Sequence, residues 1–256
     1  MSAKLFYSWR QNMQLRTNGP SIGNMTGKSL LWMAPFFISA CITSPVWEYG
    51  ETKAAKEFDL PACENGLVDD GEDGNTQIVV ANGRDGYWFS FLDTWGSKMD
   101  VRRFEMSEGG YNDDSKHAAN IKGTLAEEGD SVYAGMGFSF TNPKSPFDIS
   151  NARGIRFWAK GPGLIRFKIT DRNTDPVGDR CSDCYNDFGV DLYLQDKWMR
   201  YTIPFAEMKQ QDGWGDRAPA LDVEGSFSVQ WHFANAGESF DIWVDQIELV
   251  GCSKDE

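Results

Sequence analysis

The sequence predicts an all-β domain, a sandwich or barrel. From Leu67 onward, short runs rich in branched and aromatic residues recur between Gly, Asp, Asn and Pro, which is the rhythm of strands and turns. No comparable helical periodicity interrupts them, apart from a potential turn in "PFAEMKQ" from Pro204. About 185 residues follow one another without an internal linker, enough for one domain with a sizeable core.

Taken in order, the first 40 residues differ from the rest. Their only charged side chains are Lys4, Arg10, Arg16 and Lys28, and they contain no acid. The apolar run Leu30–Ala40 is far shorter than the roughly 20 residues of a membrane-spanning helix. It has the proportions of a signal peptide instead. It ends in "ISAC", Ile38 to Cys41, which resembles the bacterial lipobox, whose cysteine is lipidated and becomes the mature N-terminus. Residues 1–40 are therefore expected to be a lipoprotein signal peptide, with Met25 a more economical start, and Cys41 the lipidation site. Ile42 stands where an aspartate would often signal inner-membrane retention, so an exported, envelope-anchored protein at the outer membrane or cell surface is expected. Residues 41–65, with the charged "ETKAAKEFD", read as a tether.

The whole chain carries 25 basic and 38 acidic residues. Without the four bases of residues 1–40, 21 bases face 38 acids, a mature charge of -17. Such a surface repels phosphate backbones and anionic headgroups, which argues against a nucleic-acid partner and makes lipid on Cys41 the expected membrane contact. Four cysteines remain after Cys41: Cys63, Cys181, Cys184 and Cys252. Export favours disulfides, and four cysteines allow three pairings. Cys63 with Cys252 is expected, because these flank the folded region, with Cys181–Cys184 as a local clasp. A four-cysteine zinc site is the rival, but only one CxxC is present. A thiol oxidoreductase needs that pair beside a βαβ unit, which the sequence lacks.

The domain opens on "LVDDGEDGN", Leu67 to Asn75. It fails as an EF-hand loop: counted from Asp69, the third position is Gly71 and the twelfth Val80. "DRNTDPVGDRCS" from Asp171 fails too, with Pro176 at the sixth position. A metal loop, a carboxylate cluster and a solvated turn all remain open.

Strand-like runs follow: "QIVVA", "GYWFSFL", "VYAGMGFSF", "GIRFWAK", "LIRFKIT", "GVDLYL", "WMRYTIP", "SFSVQWHF" and "FDIWVDQIEL". Period-two alternation sorts their faces. Ile155, Phe157 and Ala159 point inward, leaving Trp158 out with Arg156 and Lys160. Ile165, Phe167 and Ile169 oppose Arg166 and Lys168. Val229, Trp231 and Phe233 oppose Gln230 and His232. Tyr133 shares a face with Gly135, Gly137 and Ser139. Tyr87, Phe89 and Phe91 alternate with Trp88 and Ser90, which puts Trp88 on the polar face. An aromatic ring on a polar face offers its π-face to the axial C–H groups of a sugar while neighbours bond its hydroxyls.

Catalysis finds little support: there are two histidines, no GxSxG, no HExxH and no phosphate-cradling loop. A pair of carboxylates suited to glycoside hydrolysis can always be picked from so many acids, so that argument selects nothing.

The series "LVDDGEDGN", "GRDGYWFSFLD", "AGMGFSF", "GIRFWAKG", "CSDCYNDFG", "QDGWG", "FDIWVDQIEL" resembles galactose-binding-like jelly rolls. It looks most like carbohydrate-binding module family 11 and complex I intermediate-associated protein 30-like domains, over Leu67–Val250. The resemblance implies a single jelly-roll β-sandwich over residues 66–252 with a short tail, 253–256. It also implies a structural calcium at Glu72, in a "DDFED"-like pattern, and Asp245, in a "DDI"-like pattern, although Gly71 and Gln246 depart from those patterns. The function implied is non-catalytic binding of a β-glucan-like polysaccharide by an envelope lipoprotein. The expected contacts are stacking rings Trp88, Tyr133 and Trp158, with Arg84, Asp93, Gln230 and His232 as hydroxyl partners. The alternatives are an envelope assembly or protein-interaction scaffold with a protein partner, and a glucanase or cellulase-type hydrolase.

Overall fold

The computed structural model describes residues 60–101 and 103–252. The expected signal peptide, Cys41, most of the tether and the tail lie outside these residues. The described chain is an all-β sandwich of two antiparallel sheets. In chain order the strands are β1 (Ala62–Asp69), β2 (Trp88–Leu92), β3 (Lys98–Met99), β4 (Met106–Glu108), β5 (His117–Thr124) and β6 (Ala134–Ser139). They continue with β7 (Gly154–Lys160), β8 (Gly163–Asp171), β9 (Phe188–Leu194), β10 (Met199–Pro204), β11 (Ser226–Phe233) and β12 (Ser239–Val250). One sheet runs β10-β7-β12-β5-β3, with β1 also on β12 and β4 on β5. The other runs β2-β6-β11-β8-β9.

The runs rich in branched and aromatic residues become strands because alternate side chains bury against the facing sheet. Trp231 is the hub. Its fully buried ring meets Phe157 edge-on at 5.2 Å and Phe167 at 5.5 Å, and stacks on Trp88 at 5.7 Å. Trp231 and Phe157 thus sit in the core that their alternation predicts.

One run departs from expectation, and one keeps to it. "QIVVA" forms only isolated bridges, Gln77 to Tyr87 and Ala81 to Arg84. "PFAEMKQ" contributes a single 3-10 turn, Phe205–Glu207. β1 begins at Ala62, inside the segment read as tether, and is anchored by the Cys63–Cys252 disulfide. Asn65, with φ 53°, and a register shift between Ala62 and Leu67 break its alternation, which hid it in the sequence. The second disulfide, Cys181–Cys184, forms the expected local clasp.

β12 organises the larger sheet. Along one side its first half pairs with β5, from Ser239↔Thr124 to Val244↔Ala119, and its second half with β1, from Ile247↔Asp69 to Val250↔Ala62. Along the other side it pairs with β7, slipping register between Asp245 and Glu248. Gln246, with φ 47°, occupies that slip, a bulge that aims Asp245 at the junction of β1 and β5.

Candidate functional site

The outer face of the five-stranded sheet forms a graded surface whose rows are set by strand register. One row crosses Phe91, Gly135, His232, Arg166 and Asp191. The next crosses Phe89, Gly137, Gln230, Lys168 and Gly189. Five strands spaced at about 4.8 Å make this face about 19 Å wide between its edge backbones.

One end of each row is aromatic. The Phe91 ring lies 6.2 Å from Phe89, 6.2 Å from Tyr133 and 5.8 Å from His232, and Tyr133 lies 5.8 Å from His232. The other end is charged: Arg166 pairs with Asp191 and Lys168 with Asp187, each at 2.9 Å. Glycines lower the floor between them. A Cβ on Gly135 would come within 2.3 Å of Phe91 Cζ, and one on Gly137 within 2.2 Å of the Val229 carbonyl oxygen. Side chains at these positions would lift Phe91 and fill the trough.

Burial, then the nearby Lys168 and Arg166 cations, push the His232 imidazole down to about 3. The ring is therefore neutral at pH 7, with one nitrogen to donate and one to accept. Burial raises the Asp187 carboxyl against the pull of Lys168. Among the described residues, the exposed aromatic rings Tyr87, Trp95, Tyr185, Tyr193 and Trp214 all belong to this sheet or to the loops beside it.

Of the expected contacts, Tyr133, Gln230 and His232 come together here. Trp88 is corrected to the core: it is 5% exposed, stacked between Phe104 at 5.2 Å and Trp231 at 5.7 Å. Its indole N–H donates to buried Asp69, so a polar partner lies on the inner side and the strand is turned opposite to the expected way. Phe89 and Phe91 take the outer face instead. Arg84 is also corrected: it is buried, and its guanidinium donates to the Asn65 and Leu67 carbonyls at 3.1 and 2.7 Å, tying down β1. Asp93 is a turn cap. Its carboxylate accepts from Trp95 N at 2.6 Å, Tyr133 N at 2.8 Å and the Ser97 hydroxyl, leaving little for a sugar. Trp158 faces outward, but on the other sheet, stacked on Tyr111 at 4.9 Å.

The sequence reading missed Phe89, Phe91 and Asp191, and it placed Arg166 and Lys168 on a polar face without assigning them to the site. The aromatic alternation of "YWFSF" was visible, but its direction depended on the partner of Trp88.

Glu72 and Asp245 do meet, at the junction of β1, β5 and β12. The Ser115 hydroxyl lies 3.0 Å from Glu72 Oε1, 2.8 Å from Asp245 Oδ2 and 3.4 Å from the His117 carbonyl. One hydroxyl proton serves three acceptors, a surplus of lone pairs. The donor set, two carboxylates, a hydroxyl and a carbonyl, consists of the hard oxygens that calcium takes. The same carboxylates also accept from the backbone: Glu72 from Lys116 N at 2.8 Å and His117 N at 3.2 Å, Asp245 from Tyr111 N at 2.9 Å. Partial burial pushes the Glu72 carboxyl up, but these bonds outweigh it and hold the group below its usual range, while burial raises Asp245. Among the described residues no group of three or more His, Cys, Asp or Glu side chains is placed to hold a metal ion. A cation here would complete its shell from the hydroxyl, carbonyls and water.

No family model matches the chain. No curated protein matches it either. Solved structures do. The family 11 carbohydrate-binding module of a cellulosomal cellulase of Clostridium thermocellum is 18% identical, with a TM-score of 0.51, over 74% of this chain and 96% of that one. A solution structure of CtCBM11 is 21% identical, with a TM-score of 0.50, over 73% and 95%. The chain therefore has a jelly-roll β-sandwich fold that resembles that of family 11 carbohydrate-binding modules.

Proposed function

We propose that this protein binds a neutral, β-glucan-like polysaccharide along the trough on its five-stranded sheet, without cleaving it. The observation that carries the reading is the row order. Each row passes from aromatic rings, over a glycine, to amide or imidazole and then to paired charges, so a sugar can stack at one end and be hydrogen-bonded at the other. The exposed rings that border the same face support it, and so does a fold shared with a carbohydrate-binding module. Phe89, Phe91 and Tyr133 stack, while His232, Gln230, Arg166 and Asp191 contact hydroxyls.

The reading includes an N-terminal lipid on Cys41 that holds the domain at the envelope, so that bound polysaccharide stays near the cell. It also includes a structural calcium on Glu72 and Asp245, which would fasten the β1–β5 junction rather than touch ligand. Adding chelator should then lower the melting temperature, and Glu72→Gln should abolish the calcium response.

Native affinity electrophoresis through gels containing β-glucan, xylan, mannan or no polysaccharide tests the central claim. Selective retardation in the β-glucan gel is expected. Equal migration in all gels overturns the reading in favour of a protein-interaction scaffold, and sugar release from soluble β-glucan would favour a hydrolase.

A further inference from the structure

The two loops at the charged edge of the trough form a braced lobe. The first spans residues 181–187 and the second 209–217. Asp216 accepts from the backbone N–H groups of Ser182 and Asp183 at 2.5 and 3.1 Å. Asp183 accepts in return from Gly215 N at 3.1 Å. Asn186 donates to the Gln211 and Trp214 carbonyls at 2.8 and 2.6 Å, and Gln210 donates to the Asn186 and Asp216 carbonyls at 2.7 and 2.9 Å. The Cys181–Cys184 disulfide closes the first loop.

All this bracing surrounds two rings that it does not bury: Tyr185 is 63% and Trp214 44% exposed. A single exposed ring needs no explanation. Two on loops so tightly tied are different, because ordering has already removed the entropy that a binding loop would otherwise lose.

The lobe is also continuous with the trough. Beyond Gly189, the row through Phe89, Gly137, Gln230 and Lys168 is extended by Lys209, which exchanges backbone hydrogen bonds with Gly189 at 2.9 and 3.0 Å. Gly189 has no side chain of its own, and the Arg166 side chain passes over it to donate to the Lys209 carbonyl, so a ligand crossing this edge runs over a guanidinium already positioned for hydroxyls. The row therefore leads from the sheet straight onto the lobe.

We infer that Trp214 and Tyr185 form an end subsite, which stacks the sugars of a longer chain after it has crossed the trough. The inference rests on the trough reading and adds to it a dependence on chain length. The Cys181–Cys184 clasp acts as a positioning element for this subsite.

The test is a titration of the full protein and its variants with a ladder of soluble mixed-linkage gluco-oligosaccharides, from short to long. In the parent, affinity should keep rising with length. Trp214→Ala should leave the shortest bound oligosaccharide unaffected and lower affinity for the longest about tenfold. Tyr185→Ala and the double variant Cys181→Ser/Cys184→Ser should act in the same direction and likewise spare short ligands. Equal affinity of parent and Trp214→Ala at every length overturns the subsite while the trough reading stands. Failure of the parent to bind any member, under conditions where Phe91→Ala and parent behave alike, overturns both.

Discussion

Phe91 and Trp88 lie on the same short strand and face opposite sides of it, so the two rings separate binding from stability. Trp88 is clamped between Phe104 and Trp231, and removing it leaves a cavity at the centre of the core. Trp88→Ala should lower unfolding free energy by about 3–5 kcal/mol in urea titrations. Phe91 is partly exposed, so Phe91→Ala should cost much less stability and yet abolish retardation in the β-glucan gel; intact retardation would remove Phe91 from the site. His232 shows what burial does to a titrating group. Its folded value, about 3, lies below the ordinary 6.5, so the unfolded chain takes up the proton first. The stability it contributes is complete above about pH 6.5 and is lost as pH falls toward 3. His232→Gln should therefore lose less stability than the parent between about pH 7 and pH 4. Asp69 pulls the other way. Burial raises it to about 6, so the folded state binds its proton earlier and gains stability as pH falls from about 6 toward 3.8. Comparing His232→Gln and Asp69→Asn each with the parent across pH separates the two contributions.

At the scale of elements, legibility in the sequence followed chemistry. β7, β8 and β11 alternate branched or aromatic residues with polar or charged ones, and each could be read directly, down to which side chains turn inward, whereas β12 was legible as a strand but not as a pair of faces. β5 could not, because "HAANIKGT" carries Ala118, Ala119 and Gly123 where larger residues would mark a strand. Those small residues are buried or half-buried against neighbours, and a Cβ on Gly123 would come within 2.0 Å of the Lys98 carbonyl, so the strand is defined by close approach rather than by bulk. β1 was hidden by its irregular register, and its position depends on the disulfide more than on pattern. The Cys63–Cys252 bridge closes a sequence separation of 189 residues. In the chain-entropy account, loops of that length gain the most from closure. The double variant Cys63→Ser/Cys252→Ser should lose about 2–5 kcal/mol of stability. Hydrogen exchange should quicken at the β1 amides first, while the β7–β12 ladder remains protected. Exchange that quickens evenly across the larger sheet would mean that the bridge supports the whole fold rather than its first strand.

Across the whole molecule, the site was less legible than the fold because it is assembled by register among five strands. Phe91, His232 and Asp191 share a row only through the pairings β2-β6, β6-β11, β11-β8 and β8-β9, and a single chain read by period two gives each strand's faces but not its neighbours. The same limit sent Trp158 to the correct outward face of the wrong sheet. Charge, by contrast, was legible from composition, and it bears on which polysaccharide the trough can hold. The chain after residue 40 has 21 bases against 38 acids, net -17, so a polyanion is repelled at long range. Inside the trough the cations are already spoken for, Arg166 by Asp191 and Lys168 by Asp187, which leaves hydroxyl recognition rather than a free positive site. Contacts of that kind involve no net charge transfer between protein and ligand and are little screened. Affinity for a neutral β-glucan should therefore change by less than about twofold between about 0.05 and 0.5 M salt, while a polyuronate should stay unbound at low salt. If affinity instead falls steeply with salt, one of those cations must leave its carboxylate to meet an anionic sugar, and the neutral-glycan reading fails.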